Sequence, residues 1–140
     1  MGDAATAGLS DRTTESTVAH ERAEQRARSR ARRADQRRDL YATILDLVDE
    51  LPAGEPPPQT LSWVVATIDA DVRDGVAELI DLLHGEVDRT MSLLRPGVPP
   101  EELTPHAQLL ALDLQAQSRV ADALAACARL RDAFRDRGWL

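Results

Sequence analysis

Between Pro56-Pro57-Pro58 and Arg95-Pro96-Gly97 the chain runs from Leu61 to Leu94 without a proline. Proline lacks a backbone N–H and its ring clashes with the preceding turn, so such clusters punctuate helices. Within the stretch, apolar residues stand at 61, 65, 68, 72, 76, 79, 83, 87, 91 and 94, a mean spacing of about 3.67. That is a helical period and not a strand period. At 1.5 Å per residue the segment is a rod of roughly 50 Å, and it reads as the central helix of a helical bundle. Gly75 and Gly85 fall inside it. Each costs about 1 kcal/mol against alanine and allows close packing or a bend.

Two further helical segments flank the rod. The first extends from about Glu15 to Leu51, after a small, polar, aperiodic stretch, residues 1–14, that is expected to be disordered. Its C-terminal half carries an ordinary amphipathic stripe of Tyr41, Ile44, Leu45, Val48 and Leu51. Its N-terminal half has no large apolar residue between Val18 and Leu40 and offers alanines instead. The third segment is expected over residues 105–137. Thr104-Pro105 has the form of a cap followed by a first-turn proline, and Gly138 supplies a stop. Its stripe is Leu109, Leu112, Ala116, Val120, Leu124, Cys127, Leu130 and Phe134.

The chain has four aromatic residues, Tyr41, Trp63, Phe134 and Trp139, so its core is built from Leu, Val, Ile and Ala. Three long helices joined by short proline-rich loops make sequential neighbours antiparallel. The expected fold is all-α, an up-down-up antiparallel three-helix bundle forming one domain over residues 15–140, with helices at about 15–51, 61–94 and 105–137. A dimer that completes its core with a second copy is the main variation. Folding the chain this way gathers Trp63, Phe134 and Trp139 at one end near Leu51. It also lays Arg22 to Arg37 beside residues 75–90.

In layout, the chain from Tyr41 onward resembles small helical proteins of unknown function from actinomycete bacteria, sometimes found near natural-product genes. The shared features are a helix ending in Leu51-Pro52, the run Val76-Ala77-Glu78-Leu79-Ile80-Asp81-Leu82-Leu83, and a Leu/Ala-rich final helix. The resemblance implies a helical fold and carries no activity or site residues.

Charge is unevenly spread. The net is −7, yet residues 1–39 hold nine Arg against seven acids, and residues 40–140 hold eight Arg against seventeen acids. A basic arm on an acidic body points to an acidic partner or to internal pairing. All 17 basic residues are arginine, which matches the codon usage of a GC-rich genome. The single cysteine, Cys127, has no disulfide partner in the chain and lies on an apolar stripe, so a cytoplasmic location is expected. No segment has the apolar length to cross a bilayer.

Within the arm, Arg22, Arg26, Arg30, Arg33 and Arg37 step by 4, 4, 3 and 4. At 100° per residue they fall within an arc of about 80°. Continued forward, the arc meets Leu40, Ile44, Val48 and Leu51, so the arginines extend the core-facing stripe. Arg28 and Arg32 lie on the opposite side among acids. Asp81, His84 and Asp88 share one face of the middle helix, a spacing that di-metal bundles use together with glutamates from facing helices. Standing beside Asp74 and Glu78, the trio reads as a solvated acidic face, and no metal or other cofactor is expected. His20 and His106 sit near helix starts, where a surface or capping role fits. No nucleophile–base pattern or glycine-rich phosphate loop is present, so the expected function is not enzymatic. The chain is expected to dock an acidic protein partner or a second copy through Arg22, Arg26, Arg30, Arg33 and Arg37. The alternatives are a structural bundle with these arginines paired internally, or phosphate or nucleic-acid binding by the basic helix.

Overall fold

The computed structural model describes the backbone of residues 2–140 and the side chains of residues 17–140. It holds three helices, α1 (Gly2–Asp49), α2 (Ser62–Leu94) and α3 (Pro100–Asp136), with a 3-10 turn, Gln59–Leu61, leading into α2. The stretch expected to be disordered, residues 1–14, lies outside the residues described at side-chain level. Among the described residues there is no strand. The fold is an all-α three-helix bundle of up-down-up order. Asp35 meets Arg119 and Val48 meets Arg137, so α1 and α3 run parallel. Tyr41 meets Asp71, Arg37 meets Glu78 and Arg30 meets Asp81, so α2 runs antiparallel to both.

Buried positions return every seven residues in each helix. They are Ala27, Ala34, Tyr41 and Val48 in α1, then Ile68, Gly75 and Leu82 in α2, then Leu109, Ala116, Ala123 and Leu130 in α3. Two helical turns span 7.2 residues, so a strict seven keeps its edge inward only when helices wind slightly left-handed about one another.

The middle helix in sequence is not the middle helix in space. α3 packs against both α1 and α2, whereas no Cα of α1 lies within 8 Å of one in α2 among the described residues. Side-chain size explains this. Ala27 and Ala34 of α1 and Ala116, Ala123 and Ala126 of α3 are buried, and small residues let backbones approach. Gly75 does the same for α2 and α3, since a Cβ there would stand 3.0 Å from Leu124 Cδ1. Between α1 and α2 the gap is bridged by long polar side chains.

The core falls into two clusters. One, around Ile44, Val48, Ile68, Leu130 and Phe134, fills the end where α1 turns into α2. The other holds Ala34, Leu82, Ala116, Val120 and Ala123. Trp139 packs against the first cluster, but Trp63 is exposed. Gly138 ends α3 at φ +74°, a left-handed conformation open to glycine. Its N–H donates to the Arg135 carbonyl and that of Trp139 to the Phe134 carbonyl, which is the Schellman arrangement. The accompanying apolar contact is Phe134 with Trp139, rings 5.5 Å apart. Arg137 donates to the carbonyls of Val48 and Pro52, placing a cation where the C-terminal end of α1 is negative.

Helix α3 begins at Pro100 and not at Pro105. Pro100 tolerates the first position, and Glu101 and Glu102 in the first turn favour the helix N-terminus. Pro105 then sits inside the helix, where it forgoes the hydrogen bond to the Glu101 carbonyl.

The phase of α2 also differs from its apolar count. Leu82 is 4% exposed and Leu83 is 39% exposed. Val76, Val87, Met91 and Leu94, counted above as one stripe with Ile68, face outward.

Candidate arginine-lined groove

The side of α1 that faces α2 carries the arginines in successive lines, set by the seven-residue frame. Arg30 and Arg37 share a line with the buried Ile44. Arg26 and Arg33 share the next line out with Leu40 and Leu47, and both leucines are exposed. Arg22 lies further round still. The stripe therefore does not extend the core-facing edge through Leu40, which gives way there to the buried Tyr41. It flanks the alanine edge that packs on α3.

This placement divides the five arginines. The inner two reach α2: Arg30 Nη2 stands 2.7 Å from Asp81 Oδ2, and Arg37 Nη1 stands 3.5 Å from Glu78 Oε2. Asp81 is largely exposed, so the Arg30 pair is a solvated one, worth less than about 1 kcal/mol. The outer three, Arg22, Arg26 and Arg33, make no ion pair among the described residues. On the far side of α1, Arg28 pairs with Glu24, while Arg32 donates to Ser29 and meets no acid among the described residues.

Between the two helices lies an open groove of about 740 Å³. Its α1 wall carries Arg22, Arg26, Arg30 and Arg33, with Ala23 and Ala27 below them. Its α2 wall carries Asp81, His84, Gly85 and Asp88. The acidic trio is solvent-exposed, as its spacing suggests, and forms the wall opposite the arginines. Among the described residues no group of three His, Cys, Asp or Glu side chains is arranged to hold a metal ion. Arg89 closes the floor toward α3 through a 2.5 Å contact from Nε to Asp113 Oδ2. Residues 89 and 113 were not singled out in the sequence. The signal was there, because Arg89 occupies the seven-residue line of Ile68, Gly75 and Leu82 and so had to find a polar partner.

Outside the groove, Tyr41 donates from its hydroxyl to Asp71 Oδ2 at 3.2 Å. Burial, then the neighbouring Cys127 and Asp71, raise the Tyr41 pKa well above the ordinary tyrosine range. Burial likewise pushes the Cys127 thiol up, which makes it a packed side chain and a poor nucleophile. His20 binds Glu24 at 2.8 Å, away from the groove.

Fold and groove together define an all-α bundle with one wall of arginine and one of acid facing each other across open space. The chain matches no protein-family model, no curated protein and no solved structure. Among the described residues no helix is long and apolar enough to cross a membrane.

Proposed function

We propose that the chain is a non-enzymatic interaction protein that docks an acidic segment of a partner protein in the α1–α2 groove. The observation that carries this reading is the division of the arginines. Arg30 and Arg37 pair with acids of α2, whereas Arg22, Arg26 and Arg33 line the open groove and make no ion pair among the described residues. Their spacings of 4 and 7 residues correspond to rises of about 6 and 10.5 Å along the helix. Carboxylates at matching intervals on a peptide meet them in bidentate pairs, which the planar guanidinium favours.

Internal pairing is the second reading, and it is favoured for Arg30 and Arg37 by the contacts they make. Polyphosphate backbones fit the groove less well. No aromatic lines the groove for base stacking.

The test is a fluorescence-anisotropy titration with a labelled polyglutamate peptide and, separately, a DNA duplex. Polyglutamate is expected to bind and to weaken with salt. Arg22→Glu, Arg26→Glu and Arg33→Glu together are expected to abolish that binding and leave the melting temperature unchanged. Tighter binding of duplex than of polyglutamate, or a triple variant that binds as before, overturns the reading.

A further inference from the structure

An apolar line on α2 faces away from both neighbouring helices. Val76, Ile80, Leu83, Val87, Met91 and Leu94 follow one another at 4, 3, 4, 4 and 3 residues and are 39–73% exposed. It is a different surface from the groove, whose α2 wall is formed by Asp81, His84, Gly85 and Asp88. Leu114 of α3, one residue past the Asp113 that binds Arg89, is exposed as well.

We propose that this face is a dimer interface, and that its occupant is a second copy of the chain with the two α2 helices antiparallel. Two observations favour a second copy. The first is self-complementarity. About a two-fold axis at the level of Gly85, Val76 comes level with Leu94 of the other copy and Leu83 with Val87. Ile80 comes within one residue of Met91, so apolar meets apolar along the whole line. The second is area. Six side chains of this size, about half exposed, present roughly 500 Å², at the upper end of what a monomer leaves open. Two such faces bury about 1,000 Å² in total, where specific interfaces begin. The line is about 27 Å long, which suits a helix laid along it. The contact turns two three-helix bundles into one six-helix assembly and leaves both arginine grooves facing solvent.

Sedimentation equilibrium over a range of protein concentrations tests this, and the wild-type chain is expected at twice its monomer mass. Leu83→Glu with Val87→Glu is expected to give a monomer with unchanged helical circular dichroism. Because that variant disturbs a packed helix, a second one reads the register directly. Leu83→Cys and Val87→Cys in a Cys127→Ala background should oxidise to a covalent dimer. A wild-type monomer at every concentration overturns the proposal. So does a dimer that survives both glutamates, or a monomer that instead floats with phosphatidylcholine vesicles. The interface is apolar, so the dimer should persist in high salt and in the Arg22→Glu, Arg26→Glu, Arg33→Glu variant. Its failure is thereby separable from failure of the groove.

Discussion

Leu82 and Leu83 are adjacent, chemically identical and energetically unlike. Truncating the buried Leu82 to alanine removes core contacts and should cost about 2–5 kcal/mol, as should Ile68→Ala. Leu83→Ala should cost less than about 1 kcal/mol within one chain, measured by urea unfolding at low protein concentration. The apolar count in the sequence did not separate the two. Two apolar lines lie side by side on α2, and the inner one has glycine at 75, which adds nothing to such a count. The apolar period therefore passes from Ile68 to Val76 and Leu83 of the outer line. Ile68 is buried as its place in the apolar period predicts, because the two lines diverge only beyond it. Tyr41 gives a second prediction at this scale. Its folded pKa lies above its unfolded value of 10.0, so the protonated phenol is favoured in the folded state. The stabilisation is complete below pH 10 and is lost as pH rises through the folded value. Tyr41 is the one tyrosine in the chain, so phenolate absorbance follows it alone. Titration at an ordinary tyrosine pKa in the folded protein would contradict the burial of Tyr41 and its part-buried contact with Asp71.

Among the elements, α1 is the least uniform. From Tyr41 onward its buried residues are Tyr41, Ile44 and Val48, whereas before Tyr41 they are, among the described residues, Ala27 and Ala34. Alanine brings helix propensity but little transfer free energy. Amides of residues 19–37 should therefore exchange with solvent faster than those of 41–48, and equal rates would show that alanine packing on α3 suffices. The contrast between the halves was legible from composition alone. That the arginines fall into an inner and an outer line was not, since it depends on the supercoil frame set by α3. Helix α2 offers a complementary test. Gly85 has open space where a Cβ would go, so Gly85→Ala should stabilise the fold by about 0.5–1 kcal/mol in thermal melts. No gain would indicate that glycine relieves strain in α2.

For the whole molecule, proline punctuation and helical period were enough to give three helices in up-down-up order, because loop length dictates which neighbours are antiparallel. The identity of the central helix was not legible. It follows from where alanine and glycine let backbones close in, and α3 collects most of those positions. The groove was legible in part, since the sequence placed Arg22 to Arg37 beside residues 75–90. The pairing of Arg30 and Arg37 with acids, and the openness around Arg22, Arg26 and Arg33, emerge once α1 and α2 are held apart by α3. The proposed function requires that openness to be a docking site. Hydrogen exchange with and without saturating polyglutamate peptide tests it most directly. The predicted result is protection confined to residues 19–37 of α1 and the facing 81–89 of α2. Unchanged exchange there, or protection that falls elsewhere on the bundle, would contradict it.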